Sequence, residues 1–213
     1  MKAQSPASRW RDDPTYRQLL GEAAWERLSP AIRLRFGLKP AIGCRLRYRG
    51  QMLAVRCSRL GWLLAQLCRL IGTPLATGRG RAVPTLVDVY PEAEGGGIVW
   101  RRLYGFPGRR PNRVVSIKRP DASHGLIECV GGGFGMALDV FEREASLHFR
   151  SRAYFWDFGG RRLPIPALLT PGVTHVVHSD EPDGRFRFRM TIRHPWLGET
   201  FFQDGVFQPV DGI

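Results

Sequence analysis

The sequence predicts a mainly β protein: an antiparallel, strongly curved sheet or β-barrel of about nine or ten strands, with two N-terminal helices packed on it. Three observations lead there. From residue 82 onward, short apolar runs alternate with polar residues at period two. Turn-forming residues separate these runs at spacings of roughly ten residues. Glycine and proline, 25 and 16 of 213 residues, are scattered between the runs and mark many turns rather than one linker.

Met1–Asp13 is polar and aperiodic and reads as a loose tail, leaving 14–213 as a single domain. In "PTYRQLLGEAAWERL", Tyr16, Leu19, Leu20, Ala23 and Leu28 recur near helical spacing, with Pro14 in the tolerant first turn after Asp12 and Asp13 as caps. This places a helix over about 14–28, ended or kinked at Ser29-Pro30, with "AIRLRF" adding one further turn. The period then changes to two. Ile42, Cys44, Leu46 and Tyr48 alternate with Gly43, Arg45, Arg47 and Arg49, a half-buried strand that continues after a Gly50-Gln51 turn into "MLAVRC".

A second helix is expected over 58–72, capped by Ser58 and closed by Gly72, with Pro74 preventing continuation. It is apolar on most sides, so it needs cover on more than one face. A helix packed across a sheet, a lid over an apolar cavity and a membrane contact all satisfy that need. The remaining strands are expected over Ala82–Tyr90, Ile98–Tyr104, Arg113–Lys118, Gly125–Val130, Phe134–Glu142, Ser146–Trp156, Val173–Ser179, Arg185–Ile192 and Glu199–Phe207. "GGG" at Gly131–Gly133 reads as a hairpin rather than a phosphate cradle, because a strand and not a helix follows it.

The formal net charge is +13, and only Lys2, Lys39 and Lys118 among the 32 basic residues are lysines. Attraction to acidic surfaces follows from that excess. Nucleic-acid binding is disfavoured, because in "RFRFRMTIR" the aromatic residues take the face opposite the arginines. Readers of single strands place both on one face. The exception is Ser146–Trp156, where His148, Arg150, Arg152, Tyr154 and Trp156 fall together and suggest a basic interaction surface. Cys44, Cys57, Cys68 and Cys129 form no close pairs, and His175 and His178, three apart on a strand, point to opposite faces; neither a metal site nor a cofactor is expected. No signal peptide or spanning run is recognisable, so a reduced cytoplasmic protein, peripheral to a membrane at most, is expected.

Two carboxylates carry the functional expectation. Glu142 is in register with Phe134, Met136, Leu138 and Val140, and Glu128 with Leu126 and Val130. An inward carboxylate needs a partner, which Arg150, His175, Tyr48 or Tyr104 can supply; alternatively Glu142 meets water at its strand end. With Trp62 on the greasy helix and Phe149, Phe186 and Phe188 on inward faces, these residues are the candidate ligand-binding set.

"AAWERLSPAIRLRF", "GWLLAQLCRLIGTPL", "GFGMALDVFEREASLHFRSRAYFW", "LPIPALLTP" and "DGRFRFRMTIRHPWLGETFFQDGVF" resemble the bacterial family of domain of unknown function 4166. The resemblance covers nearly all of the chain from Tyr16. It implies a neighbourhood with saccharopine-dehydrogenase-like oxidoreductases as fusion or genomic companions, and assigns no residue a role. The leading expectation is binding of a hydrophobic or lipid-like small molecule inside the sheet. Its alternatives are a cavity enzyme, such as an isomerase, hydrolase or oxidoreductase accessory using Glu128, Glu142 or His175, and a basic module on an anionic membrane surface.

Overall fold

A computed structural model describes residues 9–70, 78–93 and 96–210, with 67–70 described by backbone alone. In chain order its elements are β1 (Trp10–Asp12), α1 (Thr15–Leu20), α2 (Glu22–Arg27), α3 (Pro30–Gly37), β2 (Leu38–Pro40), β3 (Leu46–Cys57), α4 (Arg59–Leu70), β4 (Val83–Pro91), β5 (Ile98–Tyr104), β6 (Asn112–Asp121), β7 (Gly125–Gly131), β8 (Phe134–Arg143), β9 (Ser146–Phe158), β10 (Arg161–Ile165), β11 (Val173–Asp180), β12 (Phe186–His194) and β13 (Gly198–Pro209). Strands β3 to β9 run as an antiparallel meander, β11 to β13 extend it, and β13 pairs with β3. The ring is therefore a closed antiparallel barrel of ten strands, with β10 outside the count as a flange on β9. Among the described residues, closure leaves no long unpaired edge.

Strand β8 occupies one edge of β9, while β11 and β10 share the other edge end to end. β11 pairs with 147–150, and β10 with 154–158. The chain between them, Pro166–Gly172, crosses the gap as a strap containing one turn of 3-10 helix. Side chains replace the missing ladder there. Thr174 N donates to Ser151 Oγ at 2.9 Å, and Tyr154 Oη donates to Gly172 O at 2.8 Å and accepts from Thr174 Oγ1 at 2.7 Å.

The N-terminal region differs from its sequence reading in three ways. Gly21, at φ +75° and ψ 157°, breaks the expected 14–28 helix into α1 and α2. Ser29 Oγ accepts from Ile32 N at 3.3 Å and starts a full helix, α3, where one extra turn was expected. Residues Trp10–Asp12, read as tail, pair with β2. Helices α1–α3 close one end of the barrel by inserting Tyr16, Trp25, Leu28, Ile32 and Phe36 among inward side chains of the strands. Gly50-Gln51 makes no turn, because β3 runs straight through it. Gly50 is needed because Phe207 lies against it: a Cβ there would sit 2.1 Å from Val206 O.

Helix α4 leaves the far end of β3 and packs beside β13 at the other end of the barrel. Its Ala65 is buried against Cys57, Ile192 and Phe201. The expected stop at Gly72, like Pro74, falls outside the described residues. The arginine stripes face outward and find carboxylates on neighbouring strands. Arg187 binds Asp204 through both oxygens at 2.6 and 2.7 Å, and Asp88 bridges Arg47 and Arg101. At Gly131–Gly133 three successive glycines take φ of 110°, 58° and 80°, which L side chains rarely adopt, and form the expected β7–β8 hairpin.

Candidate functional site

The barrel interior is unequal along its axis. Near α1–α3 it is filled by rings: Phe36 lies within 6.3 Å of Trp100, Phe149 and His178, centroid to centroid. The half toward α4 and the strap holds a cavity of about 190 Å³. Its walls are mainly apolar, including Val114, Val130, Met136, Val176, Phe188 and Met190. Leu169 and Thr170 of the strap border it, so its mouth lies at the gap between β10 and β11.

The polar lining residues come from adjacent strands by simple alternation. On β5, Trp100, Arg102 and Tyr104 face inward; on β6, Ser116 and Lys118; on β7, Glu128. Lys118 and Glu128 stand directly opposite each other across β6 and β7. Lys118 Nζ lies 2.9 Å from Glu128 Oε1, with the side chains only 5% and 8% exposed. Lys118 also rests 5.5 Å above the Trp100 and Phe149 rings. Arg102 donates to Ser116 Oγ at 3.2 Å, and Tyr104 Oη donates to Gln203 Oε1 at 3.0 Å.

Burial by itself pushes the Glu128 carboxyl up. Lys118 and Arg102, with hydrogen bonds from Ser116 and Lys118, outweigh burial and hold Glu128 below the ordinary carboxylate range. Burial, reinforced by Arg102 against the pull of Glu128, draws the Lys118 ammonium below its usual value. Burial raises the Tyr104 phenol, which stays a proton donor. The cavity-lining side chains thus carry two cations, Arg102 and Lys118, against one carboxylate, Glu128.

His178 lies deeper, among Phe36, Phe149 and Phe188. Burial and the charges of Arg35, Lys118 and Arg102 lower its pKa well below the usual histidine range, so it is neutral. Its Nδ1 has no hydrogen-bond partner among the described residues.

The ten candidate residues separate into three groups. Tyr104, Glu128 and Phe188 line the cavity. Tyr48, Phe149 and Phe186 are buried and inward but belong to the filled half. Trp62, Glu142, Arg150 and His175 lie outside the interior. Trp62 is on the solvent side of α4, 48% exposed. Glu142 keeps inward register, yet at the rim it meets Arg27 of α2 at 2.7 Å and accepts from Ala145 N, so it meets neither the cavity nor bulk water alone. Arg150 and His175 alternate with inward Phe149 and Val176 and therefore face outward, opposite each other across β9 and β11. His175 Nε2 is 3.0 Å from His148 Nδ1 on that outer face.

The expected basic aromatic face on β9 is also corrected. A bulge against Ala137/Leu138 makes Arg152 an extra residue and reverses the alternation. His148 and Arg150 stay outside, while Tyr154 turns to the cavity and Trp156 stacks on Phe134 at 5.8 Å. Among the described residues no group of three or more histidine, cysteine or acidic side chains gathers as metal ligands, and no helix is long and apolar enough to cross a membrane.

Sequence reasoning missed Arg102, Ser116, Lys118 and Gln203. A signal for the first was present, since Arg102 lies between Trp100 and Tyr104 at inward spacing. Lys118 and Glu128 are equally distant from Ser123 in the β6–β7 turn, so hairpin geometry alone pairs them.

These features define a class: a closed ten-strand antiparallel barrel with an apolar cavity and a charged inner wall. The chain belongs to the family described as domain of unknown function DUF4166, which matches residues 28–207. Comparison with curated proteins and with solved structures gives no match.

Proposed function

We propose that the barrel binds a hydrophobic, lipid-like small molecule whose acidic end meets Arg102 and whose apolar part fills the cavity. The observation that carries this reading is the pairing of an apolar, partly enclosed cavity with Arg102, Ser116, Tyr104 and the Lys118–Glu128 pair on one wall. Ligand pockets typically combine apolar walls with a few convergent polar groups. At about 190 Å³ the cavity somewhat exceeds the roughly 150 Å³ hole that accommodates benzene in another protein. It suits a ring or a short acyl stretch, with a longer chain leaving through the mouth beside the strap.

Organic extraction of purified protein followed by mass spectrometry tests the reading. A stoichiometric apolar acid from the wild type, lost from Val176→Trp at unchanged thermal stability, is the expected result. Equal yields of the same compound from both proteins would place it elsewhere and remove the proposal.

A further inference from the structure

The exposed apolar residues are concentrated around the strap and the two segments bonded to it. Eight of the sixteen large hydrophobic side chains exposed among the described residues fall in three short segments, 58–63, 166–173 and 193–200. Trp196 is 76% exposed and Leu169 73%. These segments are one structural unit. Ser58 N donates to Thr200 O at 3.0 Å, and Thr200 Oγ1 donates to Pro171 O at 2.9 Å. His194 joins the β12–β13 turn to the strap: its Nδ1 accepts from the N–H groups of Trp196 and Leu197, which leaves Nε2 to donate to Leu168 O at 3.3 Å.

Charge at this end has one dominant sign. Arg59 and Arg193 are exposed within the three segments, exposed Arg56 lies two residues before the first, and exposed Arg79 lies near Cys57. Glu199, paired with Arg56 at 3.2 Å, is the single acidic residue of those segments. The apolar groups do not form a flat face. They project from a helix, a strap and a hairpin tip, of which the strap borders the cavity. A soft surface with an apolar layer beneath acidic headgroups fits separate projecting tips ringed by arginine, and tryptophan favours that boundary.

We propose that this end of the barrel docks on an anionic phospholipid bilayer, with Trp62, Leu63, Leu169 and Trp196 entering the headgroup boundary and Arg59 and Arg193 facing acidic headgroups. The cavity mouth then faces the membrane. Docking does not depend on which ligand the cavity holds, because the docking residues are distinct from the charged inner wall.

Sedimentation of the full chain with vesicles of phosphatidylcholine, with and without about one-third phosphatidylglycerol, tests the proposal. Binding at least about tenfold tighter to the acidic vesicles is expected, weakening as salt is raised. A Leu169→Ser/Trp196→Ser variant, folded by circular dichroism, should lose about tenfold or more on acidic vesicles. Arg59→Gln/Arg193→Gln should reduce the preference for acidic lipid. Equal binding by wild type and the serine variant overturns the proposal. So does an absence of vesicle binding, including a case where the same residues instead drive association with a second copy of the chain.

Discussion

Removing one member of the Lys118–Glu128 pair should be costly, and the two removals should differ. Both side chains are over nine-tenths buried and 2.9 Å apart. Deleting either partner leaves a charge in a low-dielectric interior, which typically costs about 3–5 kcal/mol. Arg102 breaks the symmetry. After Lys118→Met, Glu128 still has Arg102 as a nearby cation; after Glu128→Gln, Lys118 and Arg102 repel each other without an anion. Glu128→Gln should therefore fall in the upper part of that range and Lys118→Met in the lower part. With a urea dependence of about 2 kcal/mol per molar, the midpoint shifts are roughly 1.5–2.5 M. The Lys118→Met/Glu128→Met double variant should recover most of the loss, since well-packed apolar replacements of buried pairs are often neutral or stabilising. Equilibrium urea unfolding measures all three. Single-variant losses under about 1 kcal/mol, the scale of an exposed pair, would refute the burial argument. A double variant as unstable as the sum of the singles would refute the pairing.

Three further outcomes follow from the same geometry. The native state keeps His178 neutral while the unfolded chain protonates near pH 6.5, so stability is present above that pH and is lost as pH falls below it, by up to about 1.4 kcal/mol per unit. Urea unfolding of His178→Phe should show a shallower slope between pH 6 and 5 than the wild type; an identical slope contradicts the assignment. Burial raises the Asp121 carboxyl, but Arg162, His124 and the Ser123 amide outweigh it and bring its pKa to about 2, so its contribution is present above about pH 4 and lost toward pH 2. Hydrogen exchange in β10, which carries Arg162, should rise over that interval in the wild type and already be fast at neutral pH in Asp121→Asn. Gly50→Ala should lower stability by about 1–3 kcal/mol or more, because its Cβ would meet backbone at 2.1 Å; a thermal melt superimposable on the wild type would show that β13 yields freely.

Much of the barrel was legible because period-two alternation dictates inward and outward faces. The β5 reading at Ile98–Tyr104 coincides with the observed strand, and β4, β6 to β9 and β11 to β13 differ only at their ends. The site was legible where alternation ran unbroken, as at Tyr104, Glu128 and Phe188. It failed at two kinds of place. A bulge at Arg152 adds one residue and inverts the faces beyond it, which no local composition announces. A strand end such as Glu142 keeps correct parity but meets whatever caps the barrel, here α2, and that depends on tertiary packing. Short β10 and the β1–β2 ribbon lack enough residues to establish a period. Lys118 and Arg102 were overlooked because charged residues are normally outward, whereas alternation puts both beside aromatic residues on an interior wall.

The most direct test of the interior-ligand account is a fluorescence titration of dansyl-undecanoate, an apolar chain ending in a carboxylate, into wild-type protein and Arg102→Met. The account predicts saturable binding at one site per chain in the wild type, with affinity at least about tenfold weaker in Arg102→Met when a charge-assisted hydrogen bond is lost. Undiminished affinity in Arg102→Met would contradict the assignment of the acidic end to that wall, and no saturable binding in the wild type would contradict the cavity's role altogether.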